Sequence, residues 1–213
     1  MVEVADQFWF NVKRGSIGTL GLALILNLIA MGSREWARTT HRADRTDTVG
    51  IWRYCTFTVT PGGGSRQACG DFVDIRVSDW LHAAQSFWVI ALFGLVACLG
   101  VFAVYLFVEN FKENVRVLGA CAVAGIITGS CGGISIGVFA GRYEHWFENH
   151  DPNFPKDSGE FYWGFYLALI SVFLTFISPI MLFPETVLEM RNDQRKENAR
   201  IRAANYVKGQ RRF

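Results

Sequence analysis

The sequence predicts a mainly α-helical membrane protein, four transmembrane helices carrying a small antiparallel β element in the first long loop. Three observations predict it. Of 213 residues, 51% are apolar, and they are gathered in blocks. Four blocks, 16–31, 87–108, 117–141 and 161–183, approach the roughly 20 apolar residues that cross a hydrocarbon core. Between the first two blocks, Cys55 and Cys69 flank the turn Pro61-Gly62-Gly63-Gly64-Ser65 symmetrically.

The first block is the shortest and contains Asn27. The aromatic run Phe8-Trp9-Phe10 before Lys13-Arg14 reads as an interfacial anchor. No persuasive small-x-small cleavage site follows the block, and Trp36 and charges come directly after it. It therefore reads as a retained span rather than a signal peptide. The expected organisation is an N-tail over 1–15, a four-helix domain over 16–183 and a basic C-tail over 184–213. Three connections are expected, at 33–85, 109–116 and 142–160.

In the first loop, residues 49–59 are mostly β-branched or aromatic, which suits a strand. The midpoint of Cys55 and Cys69 is Gly62, inside the turn, so an antiparallel hairpin closed there sets the two thiols opposite each other, in bridging range. Closing a loop of this length stabilises by about 3 kcal/mol on the chain-entropy model. Alternation puts Ile51, Arg53, Cys55 and Phe57 on one face and Trp52, Tyr54, Thr56 and Thr58 on the other. The aromatic face suits resting on helix ends. A disulfide needs an oxidising compartment, so this loop is expected outside the cell and both termini in the cytoplasm. Charge agrees: twelve of the 21 Lys and Arg fall on the terminal side, although the first loop is itself arginine-rich.

Before the hairpin, Arg34, Arg38, Arg42 and Arg45 interleave with Glu35, Asp44 and Asp47, a solvated face or a partner-facing one. Trp36 reads as an aromatic at headgroup level. After Cys69 come Asp71, Asp74, Arg76 and Asp79; the three acids are candidates for an ion path or a partner contact, on charge alone. Residues 78–85 have capping and helical character and lead into the second span, with His82 exposed.

In the third span, Gly125, Gly129, Gly133, Gly137 and Gly141 recur every four residues. Stacked on one helix face, they would let a neighbouring backbone approach closely, inside the monomer or at a dimer seam. No Asp, Glu, Lys or Arg occupies the centre of a span, which argues against a transporter or pump. Cys98, Cys121 and Cys131 lie within spans and read as small packing residues. In the loop 142–160, His145 and His150 are five apart with no cysteine beside them, so no metal site is expected. Pro152 and Pro155 make its tip turn-rich. The tail is helical in propensity and basic, suited to anionic lipid or to a cytoplasmic scaffold. No nucleophile–base pair or phosphate-cradling loop appears, so neither an enzyme nor a cofactor is expected.

Gly50-Ile51-Trp52-x-x-Cys55 followed by Cys69, with Trp36 after the first span, resembles the claudin superfamily. That superfamily includes claudins, peripheral myelin and epithelial membrane proteins, and stargazin-type gamma subunits. Its pattern is Gly-Leu-Trp-x-x-Cys, and Ile51 stands here where Leu is usual. Leu81-His82-Ala83-Ala84-Gln85 is similar to the family's Leu-Gln-Ala-Ala-Arg, with Gln85 in place of Arg. The resemblance spans about 16–183. It implies a left-handed four-helix bundle bearing a small extracellular antiparallel sheet, at the plasma membrane. It further implies cell–cell adhesion and paracellular barrier or permeability through that sheet, with self-association or pairing to related claudin-like proteins.

The alternative is an accessory subunit regulating an ion channel or receptor. Trp52-Arg53 and Trp163-Gly164-Phe165-Tyr166 are similar to stargazin-type subunits. Phe147-Glu148-Asn149 with Pro152 is similar to the Phe-Tyr-Asn-Pro of claudins. The chain ends Gln-Arg-Arg-Phe, not in the Tyr-Val that claudins offer to scaffolds. The bilayer is the expected partner in either case, and nucleic acid is not.

Overall fold

The computed structural model describes residues 2–41, 45–60, 63–72, 79–108, 115–150 and 159–210. Four helices dominate: α1 (Val2–Gly32), α2 (Asp79–Phe107), α3 (Val115–His150) and α4 (Trp163–Gln210). Each carries a segment long and apolar enough to cross a membrane: Arg14–Gly32, Asp79–Phe107, Arg116–Glu144 and Trp163–Pro184. Five strands, β1 (Ala37–His41), β2 (Arg45–Val49), β3 (Arg53–Val59), β4 (Ser65–Asp71) and β5 (Gly159–Phe161), form one antiparallel sheet ordered β4-β3-β2-β1-β5.

The helices overrun the apolar blocks. Helix α1 already runs through the aromatic run at 8–10. Helix α3 continues to His150, so the connection expected at 142–160 is shorter than its charge suggests. Nothing in 142–150 breaks a helix, and the first proline comes at 152. The described loop end is not irregular either: β5 pairs with β1, Phe161 opposite Ala37. Helix α4 is 48 residues long and extends well past its span.

The hairpin forms in the expected register, with Cys55 opposite Cys69 and joined to it by a disulfide. At the turn, Gly63 has φ of 79°, a left-handed conformation that a side chain disfavours. Thr60 closes the turn from both sides: its N–H donates to Gly64 O at 2.8 Å, and its Oγ1 donates to the same oxygen at 2.8 Å.

The sheet rests on an aromatic core at the helix ends. Trp36 is fully buried there, edge-on to Trp88 and Phe139 at 5.1 Å each and to Phe165 at 6.3 Å. Its indole N–H donates to Ala30 O at 2.7 Å, a second and shorter bond to a carbonyl at the end of α1 that also accepts from Ser33 N at 3.2 Å. This corrects the headgroup-level reading of Trp36. An indole beside a span end suits either place, and here the sheet covers it. Ile51 is a second correction. It sits in the bend before β3, outside the strand alternation, and turns into the same core.

A second apolar cluster, including Leu20, Leu95, Phe102, Leu118 and Leu182, fills the other end of the bundle. Small polar residues stitch the helices along their length. Ser171 Oγ donates to Ala23 O at 2.9 Å and Ser178 Oγ to Ser16 O at 3.2 Å, joining α4 to α1. Ser135 Oγ donates to Ala84 O at 2.6 Å, joining α3 to α2. Lipid supplies little drive for apolar association, so short side chains that permit close approach and a hydrogen bond carry such seams.

The glycine row on α3 does not remain on one packing face. A Cβ at Gly125 would meet the Pro179 ring at 3.4 Å, and one at Gly129 the Phe176 ring at 3.0 Å, both on α4. At Gly133, Gly137 and Gly141 the same atom would meet nothing within 4 Å. At 3.6 residues per turn, a spacing of four precesses by about 40° per step, or roughly 160° over the row. The seam passes instead to Gly132, where a Cβ would lie 2.8 Å from Val172 Cγ2.

Candidate functional site

Because side chains alternate along a strand, the sheet has two faces of different chemistry. Ala37, Val49, Tyr54 and Phe161 occupy neighbouring strands on the inner face and join the core on the helices. Gly70 faces Tyr54 across the ladder, and the Tyr54 ring fills the space a side chain there would take. On the outer face lie the disulfide, Arg38, Phe57, Arg53 and Asp71. The last two are direct ladder partners, and Arg53 Nε donates to Asp71 Oδ1 at 2.7 Å.

The link between α1 and β1 frames this outer face. Trp36 N donates to Val49 O at 2.9 Å, Tyr162 N to Trp36 O at 2.9 Å, and Gly164 N to Glu35 O at 3.0 Å. Gly50 and Gly164 grip the link from two sides. A Cβ at Gly50 would overlap Ser33 O, and one at Gly164 would stand 2.6 Å from Ser33 Oγ and 2.8 Å from Glu35 O. The glycine of Gly50-Ile51-Trp52 is thus required by backbone clearance. The side chain of Glu35 accepts from the indole N–H of Trp163, the first residue of α4. Arg38 stacks over the Tyr162 ring, its Cζ 5.5 Å from the centroid.

Two cavities adjoin at Glu35. The larger, about 630 Å³, is lined by Ile29, Arg34, Glu35, Arg53, Asp71 and Trp163, with the disulfide on its wall. The smaller, about 260 Å³, lies among Glu35, Arg38, Thr46, Thr48, Phe57 and Tyr162.

The architecture thus joins four apolar helices to a disulfide-bonded sheet seated on Trp36. The PMP-22/EMP/MP20/Claudin family model matches residues 15–182. The chain belongs to the PMP-22/EMP/MP20/Claudin family. A search of curated proteins finds no match.

On this claudin-family framework the sequence-predicted residues fall into three groups. Trp36, Gly50, Ile51, Trp52, Cys55 and Cys69 come together where the sheet meets the bundle. Gln85, which departs from the usual motif, is buried and donates Nε2–H to Ile51 O at 2.8 Å, tying α2 to the bend before β3. The three candidate acids separate. Asp71 lines the larger cavity but is paired with Arg53, Asp79 is exposed in the first turn of α2, and Asp74 lies outside the described residues.

In the arginine run, Arg45 pairs with Asp47 at 3.0 Å, while Arg42 and Asp44 lie outside the described residues. The side chains of His145 and His150 are not described, and among the described residues no group of three or more His, Cys, Asp or Glu is close enough to hold a metal. Reading the sequence missed Glu35, Tyr162 and Trp163 as one cluster. The nearest signal was Trp163-Gly164, a bulky aromatic beside a glycine where a span begins.

Proposed function

We propose that the chain is a junction protein that mediates adhesion and controls paracellular passage through the outer face of its sheet. The observation that carries this reading is the division between the two faces. The inner one is consumed by the bundle, and the outer one presents Arg38, Arg53, Asp71 and Phe57 around open cavities. Rings of charge at a constriction select ions, and a sheet held rigidly by a disulfide is suited to display them. The Cys55–Cys69 bridge favours placing the sheet outside the cell with both termini in the cytoplasm, at the plasma membrane. The test is expression in a tight epithelial monolayer, measuring transepithelial resistance and dilution potentials. A change that is lost in Asp71→Asn supports the reading. An unchanged monolayer with the protein at the surface overturns it.

A second reading, an accessory subunit of a channel or receptor, is favoured by one observation. Gly133, Gly137 and Gly141 leave a smooth strip on α3 with nothing packed against it among the described residues. A partner helix backbone approaches closely at such a strip. Co-purification from native membrane separates the two readings: a stoichiometric channel that Gly137→Leu releases favours this one, and homopolymeric strands favour the first.

A further inference from the structure

We propose that the larger cavity is a binding site for the headgroup of a zwitterionic phospholipid from the leaflet on the sheet side. The cavity opens where the sheet's outer face meets the sheet-side ends of α1 and α4. Its rim includes Ile29 and Trp163, which are 46% and 44% exposed. Both lie at the ends of membrane-spanning segments, so a lipid beside the bundle reaches the opening without leaving its leaflet. Tryptophan at such a level marks the headgroup region.

The walls are charged. Arg34 projects from the link, and its guanidinium pairs with no carboxylate among the described residues; Nη1 lies 3.8 Å from Cys69 Sγ, which is a weak acceptor. A planar guanidinium with free N–H groups is matched to phosphate oxygens. Two carboxylates share the cavity with it, Asp71 taking one bond from Arg53 and Glu35 one from Trp163. Each carboxylate keeps lone pairs for a further donor or a cationic amine.

The four charges, Arg34 and Arg53 against Glu35 and Asp71, sum to zero. A net-neutral headgroup with separated phosphate and amine therefore matches the site, whereas an acidic headgroup brings an uncompensated negative charge beside two carboxylates. The cavity, about 630 Å³, is within the range that small-molecule sites occupy. The acyl chains would run along the exposed apolar surface at Ile25 and Ile29 of α1.

The test is native mass spectrometry of the full-length protein released from vesicles containing equal parts choline, serine and glycerol phospholipids with identical chains. One choline lipid per chain should persist, at least about fivefold enriched over the other two. Arg34→Gln should lower that retention about tenfold, and Arg200→Gln on the tail should not. Equal retention of all three headgroups, or undiminished retention in Arg34→Gln with an intact Cys55–Cys69 bridge, overturns the site. Soluble phosphocholine without acyl chains distinguishes the source: if it displaces the lipid at millimolar concentration, the site reads a free phosphate ester and the lipid assignment fails. A variant-free arm uses choline lipid bearing a photoreactive headgroup on the wild-type protein. Cross-links confined to 34–35, 53 and 69–71 support the site, and cross-links spread over the helix ends overturn it.

Discussion

The two faces of the sheet come from alternate residues of the same strands, yet they are held by different physics. The inner face is apolar and aromatic, and it merges with Trp36, Trp88 and Phe139 into one core. The outer face is charged and bordered by cavities, and its Arg53–Asp71 pair is largely exposed, 62% and 51% at the side chains. The lesson is that stability and recognition are separable here along a single strand. Tyr54 packs and Arg53, one residue away, does not, so substitutions at adjacent positions should differ in kind.

The sharpest break in that contrast is Trp36→Ala. It deletes the centre of the inner core and leaves Ala30 O with only the longer bond from Ser33 N, at 3.2 Å. Removing a buried aromatic costs about 3–5 kcal/mol. The expected outcome is a large fall in the denaturant midpoint of the detergent-solubilised protein and poor surface delivery. Next is Cys55→Ser, which removes the covalent link between β3 and the edge strand β4; the expected loss is about 3 kcal/mol, read by the same denaturation. Smaller still is Gln85→Leu, which leaves Ile51 O buried without its donor, at about 1–3 kcal/mol. The smallest is Arg53→Ala, which should cost under about 1 kcal/mol because an exposed pair gains little. If Arg53→Ala destabilised as much as Gln85→Leu, the separation of the faces would fail. If it changed monolayer permeability with stability intact, the separation would be sharpened.

The four spans and the hairpin were legible because each has a signal in consecutive residues: a long apolar block, or thiols equidistant from a turn. The rest of the sheet was not. β1 and β2 are Ala-Arg-Thr-Thr-His and Arg-Thr-Asp-Thr-Val, whose charges read as a solvated run while Thr39 and Thr48 are buried. β5 is three residues long and pairs across more than a hundred positions, a distance no local pattern reports. Trp36 was visible as a motif residue but not as core, since a span-end tryptophan suits headgroups and interior equally. The glycine row misled by its regularity: a strict spacing of four looks like a stripe but winds off the contact, and Gly132, off the row, meets Val172 instead. Of the site, the disulfide was readable and the Glu35–Trp163 contact was not, because its partners come from opposite ends of the domain.

Helix α4 joins this contact to the far end of the molecule. At 1.5 Å per residue its 48 residues trace about 72 Å of helix from Trp163, with Pro179 and Pro184 inside it. Each proline lacks the N–H that would bond the carbonyl four residues back, so the helix is weakest at the end of its span. A bend imposed on the tail meets those two points before it meets the Glu35–Trp163 contact.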